Sequence, residues 1–210
     1  MNRPSLQQVR LYVIVDQVAL GGRDPVRVAE AAIRGGADVI QWRDKSAPDR
    51  EFLEVARALR DLTRLQGALF VVNDRVAAAL LVQADGVHVG HEDLPVQAVR
   101  SLVGQEMLIG RSTHSLEEAK AAEQAGADYI GVGPVFSTPT KPDYPAVGVD
   151  LIRQVRTQVR IPCVAIGGID LENLPLVLSA GANRVAVVRA IAAASDPEAA
   201  ARAFKGRLTV

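Results

Sequence analysis

At 210 residues, 49% hydrophobic and 23% charged, the chain can bury a sizeable core in one domain, 1–210, without splitting into two. Its 24 basic and 24 acidic residues cancel, which excludes a protein-wide attraction to nucleic acid or an anionic membrane and makes any anion site a local one. No apolar run approaches the ~18 residues of a membrane span, and Met1-Asn2-Arg3-Pro4-Ser5 leads into polar residues rather than a secretory signal. The expected compartment is therefore the cytoplasm.

In chain order, short apolar runs alternate with helical patterns. Leu11–Val15 predicts the first strand, and Asp24-Pro25 then supplies an N-cap and a first-turn proline for a helix with Val26, Ala29, Ala32 and Ile33 on one face. Val39–Trp42 predicts the second strand, followed by a helix striped with Phe52, Val55, Ala56, Leu59 and Leu62. Leu69–Val72, Gly86–Val89 and Met107–Gly110 are the next three strands, and Ser115-Leu116-Glu117-Glu118 reads as a capping box. Tyr129–Val132, Cys163–Ile166 and Arg184–Val188 complete a set of eight. All are rich in Val, Ile and Leu on both faces, as parallel strands buried on two sides should be. The lone cysteine, Cys163, reads as a small packed side chain. The longest connection, Gly133 to Gly148, carries four prolines, and a long ordered loop is more often functional than idle.

One phrase recurs before the even-numbered strands: Gly36-Ala37-Asp38-Val39, Ala84-Asp85-Gly86-Val87, Gly126-Ala127-Asp128-Tyr129 and Gly181-Ala182-Asn183-Arg184. Three copies place glycine where a helix ends in the left-handed conformation. Repetition on alternate strands favours a barrel, whose layers come from alternate strands, over a flavodoxin-like open sheet. The expected fold is a single-domain (βα)8 TIM barrel, near the short limit of roughly 200 residues for that architecture.

In such a barrel the active site lies where the strands end. Polar groups follow seven of the eight: Gln41-Trp42-Arg43-Asp44-Lys45, Asn73-Asp74-Arg75, Gly90-His91-Glu92-Asp93, Arg111-Ser112-Thr113-His114, Ser137-Thr138-Pro139-Thr140-Lys141, Gly167-Gly168 and Arg189. Arg43 is suited to grip phosphate oxygens in a bidentate fashion, while Lys45 and Lys141 are point charges. Asp74 and Asp93 would repel such a ligand unless a cation lay between, and Mg²⁺, which takes one or two carboxylates plus substrate phosphates, fits that role. Gly167-Gly168 and the turn after the eighth strand match the usual barrel phosphate site, giving a second, metal-free anion site. His88, inside the fourth strand, reads as a layer residue; His114 is either a proton carrier or a helix-entry residue. Tyr12, Trp42 and Phe136 are aromatics placed to flank a flat substrate, or simply core.

Taken together, Gln41 to Lys45, Val72 to Arg75, Asp85 to Gly90, Gly133 to Lys141 and Ala165 to Ile169 resemble the motifs of the thiamine phosphate synthase family, from the first strand to the last helix. The resemblance implies a transferase that joins a hydroxymethylpyrimidine diphosphate to a thiazole phosphate through a pyrimidine-stabilised carbocation, releasing diphosphate. It assigns the pyrimidine diphosphate to Gln41, Trp42, Arg43, Asp44, Lys45, Asn73, Ser112 and Lys141, with Arg43, Lys45, Ser112 and Lys141 as the catalytic groups. It assigns Mg²⁺ to Asp74 and Asp93, and the thiazole phosphate to Thr138, Thr140, Gly168, Val188 and Arg189. Two positions depart from the family pattern: His91 stands where many relatives have glutamine, and Arg189 where some have serine. The implied partners are small phosphorylated molecules, with no nucleic acid or membrane and the oligomeric state left open. The competing readings are a thiazole tautomerase using His114 as base and a non-catalytic thiazole or thiamine phosphate binder.

Overall fold

The computed structural model describes residues 5–140 and 144–208. Its elements run β1 (Leu11–Asp16), α1 (Gln17–Leu20), α2 (Pro25–Arg34), β2 (Val39–Arg43), α3 (Asp49–Gln66), β3 (Leu69–Asn73), α4 (Val76–Leu81), β4 (Gly86–Val89), α5 (Val96–Val103), β5 (Leu108–Thr113) and α6 (Leu116–Gln124). They continue with β6 (Tyr129–Val132), α7 (Asp150–Gln158), β7 (Cys163–Ile166), α8 (Leu174–Ser179), β8 (Val185–Val187), α9 (Arg189–Ala192) and α10 (Pro197–Leu208). The strands hydrogen-bond in sequence order and close a barrel, so the (βα)8 expectation holds. The short α1 and α9 are the helices that periodicity did not reveal, because a single turn carries no repeat to detect.

Within this barrel the contacts cluster into two compact units, dividing at Val87–His88 and Val187–Val188. The first holds β1 to β3 and the closing helices. β1 and β2 pair in parallel from Tyr12↔Val39 to Asp16↔Arg43, and β2 and β3 from Val39↔Leu69 to Trp42↔Val72. Its core is Val13, Ile40, Trp42, Phe70 and Val72 from the sheet, with Phe52, Ala56 and Leu59 from one face of α3 and Phe204 from α10. Each buried Val, Leu, Ile or Phe among them contributes roughly 1.5–3 kcal/mol by leaving water. In α2 the buried stripe is Val28, Ala29 and Ala32, so the helix is turned slightly from the predicted face and Val26 and Ile33 sit at its margin.

The second unit pairs β5 with β6 from Gly110↔Tyr129 to Thr113↔Val132, then β6 with β7 and β7 with β8. Ile109, Ile130, Val132 and Val164 of the sheet are buried, as are Ala119 and Ala122 of α6, Leu151 and Val155 of α7 and Leu174 and Val177 of α8. β5 runs three residues beyond its predicted end: Thr113, although polar, is buried because its hydroxyl donates to the Gly131 carbonyl at 2.9 Å. β8 is shorter than predicted, since Val188 turns out of extended geometry to cap α9.

The repeated phrase has a physical cause. Asp38, Asp85 and Asp128 each follow the same rule: the backbone N–H donates to the carbonyl of Leu11, Phe70 or Ile109, and the carboxylate accepts the N–H of Leu11, Phe70 or Ile109 in return. Each aspartate thus ties an even strand to the odd strand before it, and is neutralised by Lys205, Arg60 or Arg100 respectively. Gly36, Gly126 and Gly181 have φ of 102°, 87° and 95°, as the helix-ending reading requires.

Candidate active site

In the first unit, three neighbouring strands end in polar residues. Side chains alternate along a strand, so Gln41 and Arg43 share one face of β2 and Trp42 takes the other. The Gln41 amide donates to the Tyr12 hydroxyl at 2.7 Å, with both residues buried. Trp42 departs from expectation. It packs in the layer between β2 and α3, 5.8 Å from the Phe52 ring and 1% exposed, with its indole N–H buried and unpartnered, so its side chain is core and does not flank a ligand at the strand end.

Arg43 makes an ion pair with Asp16, its register neighbour at the end of β1; Asp16 also accepts the Ala19 N–H at 2.9 Å and so caps α1. Beyond it, the exposed Lys45 ammonium lies 3.2 Å from an Asp74 carboxylate oxygen. Asn73 ends β3, and Asp74 follows in the left-handed region at φ 60°, a conformation that short polar residues tolerate. Its carbonyl accepts the Val76 N–H at 2.9 Å, turning the chain into α4.

Asp44 is occupied by its own loop. One oxygen accepts the N–H groups of Ser46 and Ala47 and the Ser46 hydroxyl. Partial burial pushes its carboxyl up, but these hydrogen bonds and the Arg75 charge outweigh that and hold it below the ordinary range. Arg75 braces the same loop: it pairs with Asp49 at 2.8 Å, donates to the Ala47 carbonyl at 2.7 Å and lies 4.4 Å from the Phe52 ring centre. Val188 is half-buried at the start of α9, and Arg189 is exposed.

In the second unit, the Asp93 carboxylate accepts the Gly90 N–H at 2.7 Å, and Arg111 steadies this loop by donating to the Gly90 carbonyl at 2.6 Å. His91 is exposed beside it. Ser112 hydrogen-bonds His88 Nε2 at 3.0 Å, while His88 Nδ1 is 3.2 Å from the Tyr129 hydroxyl. His88 is therefore a bridge between a core phenol and an expected substrate contact, not only a layer residue. The signal in the sequence was Gly110, which leaves the space the two rings occupy.

His114 is a helix-entry residue in this structure. Its backbone N–H and Nδ1 both meet Glu118 Oε2, at 2.8 and 3.0 Å, and its ring stacks on Tyr144 with centres 4.6 Å apart. Half the capping box forms as predicted, Ser115 accepting from Glu118 N–H at 3.1 Å, but the glutamate reaches back to His114 rather than Ser115. The loop after β6 is held by β7: the N–H groups of Val135 and Phe136 donate to the carbonyls of Ile166 and Gly167 at 2.8 and 3.0 Å. Gly168, at φ 63°, backs onto it so closely that a Cβ would lie 2.7 Å from the Ser137 carbonyl oxygen. Thr138 accepts the Thr140 N–H at 3.3 Å, and Lys141 lies outside the described residues.

Comparison with known proteins identifies the family. A family model described as thiamine monophosphate synthase matches residues 11–191. A thiamine-phosphate synthase from Chloroflexus aurantiacus is 52% identical over 96% of this chain and 93% of its own length. One from Thermosynechococcus vestitus is 50% identical over 97% of this chain, which spans only 57% of that longer relative. The structure of a thiamine phosphate pyrophosphorylase from Pyrococcus furiosus superposes with a TM-score of 0.89 at 42% identity, covering 95% of both chains. A 3-hexulose-6-phosphate synthase, at TM-score 0.72 and 19% identity over 94% of this chain and 99% of its own, shares the fold alone. By the extent of the family match and these identities, the chain belongs to the thiamine monophosphate synthase family.

Proposed function

We propose that this transferase joins a hydroxymethylpyrimidine diphosphate to a thiazole phosphate with release of diphosphate, assisted by Mg²⁺, in the cytoplasm. The observation that carries the reading is the Lys45–Asp74 pair at 3.2 Å. A carboxylate facing a cation two residues along the chain from Arg43 supports a reading in which metal and diphosphate meet at this end of the strands. The donor set suits the metal: Asp74 and Asp93 offer hard oxygens, and two protein carboxylates leave the other positions to phosphate and water. Held there, Mg²⁺ would neutralise charge growing on the departing diphosphate.

The protein's own groups then divide the work. Arg43 and Lys45, with Lys141, take up the phosphate oxygens and stabilise the charge that develops as the carbon–oxygen bond breaks. Gln41 and Asn73 orient the pyrimidine, the first through the edge that Tyr12 leaves to it. Ser112, held by His88, presents its hydroxyl in a fixed direction. Thr138, Thr140 and the backbone at Gly168, Val188 and Arg189 hold the thiazole phosphate, so that its ring nitrogen attacks within a pre-arranged pair. No covalent enzyme intermediate is required.

Incubating purified protein with both substrates, with and without chelator, tests this by mass identification of products. Thiamine phosphate formed only without chelator is expected. Thiazole isomerisation that survives chelation, with no joined product, would instead indicate a tautomerase.

A further inference from the structure

Resting on that assignment of Arg43 to the diphosphate, we infer that Asp16 is the positioning residue that aims Arg43, and so sets affinity for the diphosphate end of the pyrimidine substrate. β1 reads Leu-Tyr-Val-Ile-Val-Asp, apolar except for Tyr12 until its last residue, and Asp16 is only 2% exposed. A carboxylate buried to that degree costs several kcal/mol unless paired, so its presence needs a use.

Both of its oxygens are committed. Oδ1 accepts the Ala19 N–H and Oδ2 meets Arg43 Nη1, so the carboxylate has one orientation and imposes it on the guanidinium. Arg43 needs that help. It is a long side chain, 16% exposed, that would otherwise lose substantial rotamer freedom on gripping an anion. Pairing through Nη1 directs the Nε–Nη2 edge, the one suited to a bidentate phosphate contact. The same strand also supplies Tyr12, whose hydroxyl fixes Gln41 two residues before Arg43. In this way β1 acts through its neighbour β2. It orients both polar side chains of β2.

Asp16→Asn and Asp16→Ser separate aiming from folding, because either keeps an oxygen to cap α1 and neither can hold Arg43 by charge. Two readouts are taken: steady-state KM for each substrate, and calorimetric binding of inorganic diphosphate with Mg²⁺. Losing one charge-assisted hydrogen bond predicts a rise of about 10- to 100-fold in KM for the pyrimidine diphosphate and in Kd for inorganic diphosphate. KM for the thiazole phosphate should stay unchanged, and in an Arg43→Gln background Asp16→Asn should add almost nothing.

Unchanged diphosphate binding in a folded variant overturns the assignment. So does an equal loss for both substrates, additivity with Arg43→Gln, or the failure of both variants to fold, which would make the carboxylate purely structural. Wild-type protein that binds diphosphate in an Asp16-dependent way yet forms no thiamine phosphate would overturn the proposed reaction and leave the positioning role standing. Wild-type protein that does neither would overturn both.

Discussion

Replacing Gly110 with alanine tests how tightly the second unit is built around Ser112. An ideal Cβ at Gly110 would lie 2.2 Å from Tyr129 Cζ, and 2.4 Å from both its hydroxyl oxygen and His88 Nδ1. Gly110 has no positive φ, so the cost is collision and not backbone strain. Tyr129 is 2% exposed and fixed by its register with Gly110 itself, so it cannot swing aside cheaply. Overpacking of this kind costs about 1–3 kcal/mol, and each of the two hydrogen bonds through His88 that must break adds about 0.5–1.5 kcal/mol. The expected destabilisation is therefore about 2–6 kcal/mol.

Urea unfolding at 25 °C measures the destabilisation, and kcat/KM should fall alongside because Ser112 loses its partner. Gly126→Ala is the control: φ is +87° and nothing lies within 4 Å, so only left-handed strain of about 1–2 kcal/mol applies. A Gly110→Ala protein no less stable than Gly126→Ala, with its kinetics intact, would refute the close-packed bridge.

Other outcomes follow from the same physics. Asp85→Ala strips the counter-charge from the nearly buried Arg60 and an acceptor from the Phe70 N–H, and should cost about 3–5 kcal/mol in urea unfolding. Asp74→Asn and Asp93→Asn should each raise the Mg²⁺ concentration for half-maximal turnover on the order of tenfold or more, 1.4 kcal/mol being one factor of ten; titration of activity against the metal checks it. Glu118 is pushed up by partial burial, but the hydrogen bonds from His114 and the charges of His114 and His91 outweigh this and lower it below its ordinary 4.5. A lowered carboxyl stabilises the fold above the unfolded value, and that contribution disappears as pH falls through the folded one. Glu118→Gln should thus melt below wild type at pH 7, by no more than about 1 kcal/mol given its exposure, and the gap should close in acid.

The strands were legible because burial on both faces leaves long apolar runs with no polar interruption, and β4, β6 and β7 end where the hydrophobicity ends. Boundaries slipped where polar residues continue a strand because a specific partner satisfies them, as Thr113 is satisfied by Gly131 and Arg43 by Asp16. The cationic and carboxylate residues at the strand ends could be read from chemistry and order alone. What pairs with what could not: nothing in the sequence says that Asp44 closes its own turn, that Arg75 braces the loop after β2, or that Trp42 faces α3. The last was recoverable in principle, since alternation from Gln41 and Arg43 already sends Trp42 to the other face. The repeated aspartate was seen as a pattern before its purpose, tying each even strand to its predecessor, could be known.

A crystal structure of this protein with Mg²⁺ and inorganic diphosphate would address the account at its centre. Diphosphate oxygens should be gripped by Arg43, still paired to Asp16, and by Lys45, which should have exchanged Asp74 for phosphate while the Asp74 carboxylate turns to the metal. Diphosphate bound away from the ends of β1 to β3, with the Lys45–Asp74 pair undisturbed, would contradict it.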